Sequence, residues 1–587
     1  MSYLNVPRLT FSGQFQADPS TVNNDPTHFN NETFRPEYQN YSTADAANGW
    51  WNPDGTGNWR FIGCKITSVT YQDGTSTDNP LVDPIIGMSI MDTDARTAGK
   101  IVDLDSQQQM VSELWGFVVR IVNNEGNTLM KGDYEVAAFS NIWFTRSVDK
   151  SFDAAAGATY QSIIKNIDWN FEISNSRYLN ELKAVSCDQL SIQFTVDRYN
   201  GTNTSPQFTL GRIAGSIGPS SNNEPKHFVL GRQLFPNPLP QSLNPGQVQT
   251  YNYATALVDE QLKQVVLDFG NALQFTTGGV VNSFVDLHLV INTSTETSTS
   301  YVDIGKIDYS SPDWYMGTSG ILTFPLSEQQ LSLVNEYPLA ITQIVTTPNN
   351  VFTLDTTQTS KAIYTESADY VCADKFVFRL DPDDNCKVHF YATHLGKALP
   401  NVIIQAQDAT QKLLFAPPPP VLPVVGIPTI PFFSGTDPAS VTTDANGKAT
   451  LEFTAPDPGN PRVYIDGQIY GISYNLSTQN FAKDCNQSNF ISLLIYSGAP
   501  ASEIVPDWDN FIQPIMQQYA NLYPLMSKGI FNLADRTVFE NNAQILHLVF
   551  SKDPEDSNYM PATRDLSKYK KTVILDYLQN IIDKTKA

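Results

Sequence analysis

The sequence predicts a mainly β, multidomain chain: β-sandwich or barrel units, one of them immunoglobulin-like, with a small α-helical cap at the C-terminus. Three observations predict it. Short apolar bursts recur between turn clusters at roughly ten-residue spacing, the rhythm of sandwiches and barrels rather than of βαβ units. Charged residues make up 17% of the 587, below the roughly 25% of an ordinary globular protein, so polarity is carried by Asn, Ser, Thr and Gln. Only after Pro500 does the apolar period become helical.

The length prior of about 100–200 residues per domain accommodates four units. Residues 1–185 read as a β-rich domain with one helix. Arg60-Phe-Ile-Gly-Cys-Lys-Ile-Thr-Ser-Val-Thr-Tyr is a strand ending at the turn Gln72-Asp-Gly, and Trp115-Gly-Phe-Val-Val-Arg-Ile-Val is another. Within 154–169, Tyr160, Ile163, Ile164 and Ile167 recur at helical spacing, so a helix is expected there. Residues 186–365 read as a second β-rich domain, with strands at Leu190-Ser-Ile-Gln-Phe-Thr-Val, Gln264-Val-Val-Leu-Asp-Phe and Asp286-Leu-His-Leu-Val-Ile.

Residues 366–500 read as an immunoglobulin-like sandwich of seven strands. Phe376-Val-Phe-Arg-Leu, Cys386-Lys-Val-His-Phe-Tyr-Ala-Thr and Val402-Ile-Ile-Gln-Ala-Gln alternate with period two. The proline-rich stretch 416–433 is excluded from a central strand and reads as an edge, a polyproline excursion or a loop. Asp444-Ala-Asn-Gly would turn a tight hairpin between Val441 and Phe453. Residues 501–587 form the helical cap. Trp508, Phe511, Ile512, Ile515 and Met516 make one stripe; Leu566, Tyr569, Val573, Tyr577, Leu578, Ile581 and Ile582 make another, expected to dock on the chain's own β-domains.

Composition removes some functions. A formal net charge of −23 repels phosphate backbones and anionic lipid, so no nucleic-acid partner is expected. No window is apolar and unbroken enough for a membrane span, and no secretory signal is legible at Met1-Ser-Tyr-Leu-Asn-Val-Pro. Five scattered cysteines (Cys64, Cys187, Cys372, Cys386, Cys485) read as reduced thiols of a cytoplasmic protein, with the state of Cys372 and Cys386 left open.

Chemistry-bearing motifs are sparse. No nucleophile elbow, phosphate loop, Cys-x-x-Cys or His-Glu-x-x-His occurs. Asp381, Asp383 and Asn385 start like a calcium loop, but Cys386 stands where glycine is needed and Ala392 where a bidentate Glu is needed. Cys386, His389 and His394 lie close in sequence without a fourth ligand. No metal, cofactor or catalytic residue is assigned.

Several stretches carry a family resemblance. Pro7-Arg-Leu-Thr-Phe-Ser-Gly-Gln-Phe with Thr21-Val-Asn-Asn-Asp-Pro, then Tyr523-Pro-Leu-Met-Ser-Lys-Gly-Ile-Phe-Asn-Leu-Ala-Asp-Arg, then Tyr559-Met-Pro-Ala-Thr-Arg-Asp-Leu-Ser, resemble the N-terminal, non-ferritin part of the VioB family. These are the iminophenylpyruvate dimer synthases of violacein biosynthesis. The segments Pro206-Gln-Phe-Thr-Leu-Gly-Arg-Ile-Ala-Gly-Ser-Ile-Gly and His227-Phe-Val-Leu-Gly-Arg fit more loosely. The resemblance implies a shared β-rich scaffold and, in the family, oxidative coupling of aromatic imines, whose larger members continue into a ferritin-like domain with metal ligands. The present sequence ends at Ala587 without that domain. The expectation is therefore a scaffold that is not itself catalytic and works by self-association or by binding a protein partner. The alternative is a secondary-metabolism enzyme or subunit acting on an aromatic amino-acid-derived imine or keto acid.

Within the last motif, Pro561 fixes the backbone ahead of the final helix, Thr563 or Asp565 would cap it, and Arg564 would then stand at a helix N-terminus that attracts anions. Arg564, Thr563, Tyr559 and Arg536 are the candidate ligand-binding residues, suited to a small carboxylate such as an α-keto or α-imino acid. The competing expectation pairs Arg564 with Asp535, Glu555 or Asp565 to lock the cap in place.

Overall fold

The computed structural model describes residues 1–18, 26–39, 55–94, 97–108, 111–148, 152–170, 175–186, 188–202, 204–237, 251–282, 285–311, 313–348, 356–410, 439–479, 490–500, 506–523 and 531–586. The proline-rich stretch 416–433, Cys187 and Cys485 lie outside them.

The first unit is a closed antiparallel barrel. Its strands follow one another in the order Arg8–Ala17, Leu210–Pro219, Leu190–Asp197, Gly157–Trp169, Thr128–Tyr134, Val118–Val122, Ser89–Met91 and Trp59–Thr70, and the last pairs back with the first. The ring is thinnest at the single rung Lys65↔Ser89, helped by the Ile66 amide donating to the Met88 carbonyl. Aromatic side chains fill the interior. The Trp59 ring lies 5.1 Å from Phe117, 5.5 Å from Phe194 and 5.7 Å from Phe15, with Phe61 and Tyr160 around it. Such a filled barrel is a core, not a ligand cup. The ladder runs across the expected boundary at 185/186, because 190–219 supplies two strands of this ring.

The helix expected within 154–169 is instead the thirteen-residue strand Gly157–Trp169, paired on both sides. Three isoleucines favour the pleated state. Neighbouring Ile163 and Ile164 are both buried, since both faces of the strand are covered. A register shift between Lys165 and Asp168, with Asn166 at φ 54°, then breaks the alternation. Together these produce a helix-like spacing on a strand.

The second unit is an eight-stranded sheet in the order Tyr301–Lys306, Leu287–Asn292, Leu339–Pro348, Thr356–Glu366, Arg232–Pro236, Ala254–Asp259, Gln264–Asp268 and Ile321–Pro325. It curls until its end strands meet: a Cβ on Gly305 would lie 3.0 Å from the Phe324 ring.

The third unit is a sandwich of two sheets. One holds Asp369–Ala373, Asn385–His394, Lys397–Ala398 and Lys448–Thr454; the other holds Val377–Leu380, Phe490–Ile495, Gln468–Leu476, Ile403–Asp408 and Ala439–Thr442. That makes nine strands among the described residues rather than seven. The Asp444–Gly447 turn forms, with Gly447 at φ 72° and the Asp444 carboxylate accepting from the Asn446 and Lys448 amides. Its two strands do not form a hairpin, however: Ala439–Thr442 joins one sheet and Lys448–Thr454 the other. Cys64, Cys372 and Cys386 are free thiols.

The cap contains helices Gln513–Leu522, Arg536–Asn541, Ala543–Phe550 and Lys568–Lys586. Both expected stripes enter one core with Phe29 and Ile465, and Ile574 and Leu578 are fully buried there. Among the described residues, no helix is long and apolar enough to cross a membrane.

Candidate functional site

The segment 552–567 precedes the last helix and lies on the turn after strand Ser112–Trp115. Gly116, at φ 60°, makes this approach possible; a Cβ there would stand 2.7 Å from the Ser557 Cα. Around this contact the structure gathers three of the four candidate residues.

Arg564 is buried, with φ 50°. Its guanidinium donates to the carbonyls of Pro554 at 3.1 Å, Asp556 at 3.1 Å and Ala562 at 2.5 Å. Its charge lies over the rings of Trp115 (5.3 Å) and Tyr559 (5.5 Å). Arg379 occupies a similar distance from Trp115, also 5.3 Å, so the indole lies against two guanidiniums. Burial, with the Arg379 charge nearby, lowers Arg564 to about 9.

Two expectations about Arg564 change. It does not stand at a helix N-terminus, because the left-handed backbone at 564 stops the helix from starting there. The helix begins at Lys568, where Ser567 accepts from the Lys570 and Lys571 amides and the Asp381 carboxylate accepts from Lys568. Nor is it in any ion pair among the described residues. Asp535 instead caps its own helix through the Val538 amide, Glu555 pairs with Lys165 at 2.9 Å, and Asp565 accepts from hydroxyls.

Thr563 donates to Asp565 at 2.5 Å, and Tyr559 lies beneath both Arg564 and Lys571. Arg536 is exposed, held by Glu540 one turn on, and no described contact joins it to the other three. Sequence alone placed Tyr559, Thr563 and Arg564 together because they are neighbours in the chain. Trp115 and Arg379 were out of reach of that reasoning, since only the fold brings them near.

Beside this cluster, a cavity of about 70 Å³ opens where three units meet. Asp103 and Asp105 line it from the edge of a three-stranded sheet beside the barrel, made of Lys100–Asp103, Ser112–Trp115 and Ala137–Ala138; Asp466 and Tyr496 line it from the sandwich, and Tyr519, Tyr523 and Asp565 from the cap. Tyr496 donates to the Arg564 carbonyl at 2.6 Å, joining cavity and arginine cage. The space suits a few water molecules, not an aromatic substrate. The histidines flagged in sequence lie elsewhere: His389 bonds Thr450 at 3.0 Å, His394 pairs with Asp369 at 2.6 Å, and Cys386 faces the sandwich core.

No protein-family model matches the chain. One curated relative, the 2-imino-3-(indol-3-yl)propanoate dimerase of Chromobacterium violaceum, is 29% identical over 136 residues, or 23% of this chain. The match covers 12% of that relative's length. Among solved structures, the D0-D1 domain of intimin aligns over 40% of this chain and 90% of its own, at 10% identity and a TM-score of 0.14, too low to carry an argument. What the comparisons support is a distant VioB-like relationship over part of a mainly β chain.

Proposed function

We propose that this protein is a rigid β-rich scaffold of VioB-like ancestry that works by self-association or by holding a protein partner, without catalysis of its own. One observation carries the reading: the buried arginines at its unit boundaries bind the chain's own carbonyls and carboxylates. Arg146, from the barrel side, donates to the Gly270 carbonyl of the second unit. Arg379 of the sandwich pairs with Glu113, and Arg462 pairs with Asp105 at 2.9 Å. Arg564 closes the series in the cap. Guanidiniums engaged with the chain's own carbonyls and carboxylates in this way fix geometry between units.

The test is light scattering of the purified chain at micromolar concentration, together with a pull-down from its source. A defined oligomer or a stoichiometric partner is the expected result; a strictly monomeric particle without a partner overturns it.

The alternative, an enzyme or subunit acting on an aromatic imino acid, draws support from the 136-residue likeness to the dimerase. Incubation with 2-imino-3-(indol-3-yl)propanoate, alone and with a ferritin-like partner chain, decides it. A coupled product would transfer the weight to this reading.

A further inference from the structure

The cavity at the three-unit junction draws its carboxylates from every unit that meets there. Two of the four have cations: Arg462 on Asp105 and Lys570 on Asp466, each at 2.9 Å. The other two are held by neutral hydroxyls. Ser112 donates to Asp103, and Thr563 and Tyr519 donate to one oxygen of Asp565 at 2.5 and 2.8 Å. Arg379 gives its ion pair to Glu113 and reaches only the backbone carbonyl of Asp103.

The groups facing Asp103 are Ser112 on the paired strand, Asp105 on its own turn, Arg379 from the sandwich, Tyr160 from the barrel and Tyr523 from the cap. Those facing Asp565 are Thr563, Tyr519, Tyr523 and Tyr559 from the cap, with Asp466 and Tyr496 from the sandwich.

From this geometry we propose that the junction is a pH-operated latch: the cap stays docked while Asp103 and Asp565 keep their protons, and ionisation of either drives the units apart. A second negative charge placed beside Asp105 and Asp466 finds no unpaired cation among the described groups facing it. Loss of solvent raises Asp103 to about 8, against the smaller lowering effects of Ser112 and Arg379, and raises Asp565 above the usual carboxylate range. An opened junction returns both groups to ordinary values near about 4. The closed state therefore keeps a proton that the open state loses between those limits. The opening constant rises about tenfold per pH unit for each such carboxyl, and Asp103 stops contributing above about pH 8.

Hydrogen exchange of the intact chain, read by mass spectrometry and corrected for the intrinsic pH dependence, tests this. Peptides from Gln513–Leu522 and Lys568–Lys586 should show opening constants at least about tenfold larger near pH 8 than near pH 6. Peptides from barrel strand Leu190–Asp197 should stay level. Asp103→Asn and Asp565→Asn, which cannot ionise, should each flatten the cap's slope. A cap that is level with pH, or a wild-type slope surviving in both variants, overturns the latch. Should either variant fail to fold by circular dichroism, Ser112→Ala serves instead: without its donor Asp103 titrates higher, so the breakpoint moves to higher pH. An unmoved breakpoint also overturns the proposal.

Discussion

Arg212 grips both carboxylate oxygens of Asp197, at 2.8 and 2.7 Å, while Arg146 approaches Oδ2 of the same carboxylate at 3.2 Å. Both guanidiniums also lie over the Phe275 and Tyr315 rings of the second unit. One buried acid thus organises two cations and two rings at the seam between barrel and second sheet. Asp197→Asn leaves both guanidiniums without a counter-charge and should cost about 3–5 kcal/mol, measured by urea unfolding.

The same acid sets a limit at low pH. The charges of Arg212 and Arg146 outweigh its burial and hold Asp197 below the usual carboxylate range. A depressed folded pKa contributes stability that is present above the unfolded value of about 3.9 and is lost as pH falls through the folded value. Thermal unfolding followed from about pH 5 downward should therefore show a falling melting temperature that Asp197→Asn lessens.

Removing the Arg564 side chain leaves three carbonyls without their donor, those of buried Ala562, half-buried Asp556 and exposed Pro554. At about 1–3 kcal/mol for a buried group left unsatisfied, with water able to reach the Pro554 and Asp556 carbonyls, the lost Ala562 bond sets the scale and Arg564→Ala should lower stability by about 1–3 kcal/mol. Arg564→Lys should restore little, because a single ammonium does not match a planar fork reaching three carbonyls. An anion-binding role would have predicted normal stability in both variants.

In the final helix, Leu578 is fully buried in the cap core. Leu578→Ala should destabilise by about 2–5 kcal/mol. Truncation after Ser567 removes Ile574, Tyr577 and Ile582 as well and should give insoluble protein, read as the pelleted fraction after expression.

Burial pushes the thiols of Cys64 and Cys386 up to about 12. Alkylation of the native protein near neutral pH, mapped by peptide mass, should leave both unmodified until denaturant is added.

Strands were legible wherever one face alternated with the other: Trp59–Thr70, Leu190–Asp197, Leu287–Asn292 and Asn385–His394 all lie where the apolar bursts placed them. The pattern misled at Gly157–Trp169, where burial on both faces and a bulge imitate a helical period. Closure of the barrel was not legible, since it depends on Arg8–Ala17 pairing with strands about 50 and 200 positions away, and local pattern carries no such range. The site divides the same way. Tyr559, Thr563 and Arg564 were found as a motif, but their role turned on Trp115, Arg379 and the carbonyls of 554–562, none of which a linear spacing reveals.

The closed ring has a consequence for how copies of this chain could join. Every barrel strand has a neighbour on both sides, so the ring offers amides and carbonyls to an incoming strand only where its pairing is thin, beside the single rung Lys65↔Ser89. The sandwich differs: among the described residues Ala439–Thr442 pairs on one side only, and its residues alternate between half-buried and exposed. Main-chain recruitment of a further strand is thereby favoured at such rims, whereas contact through most of the barrel wall falls to side chains.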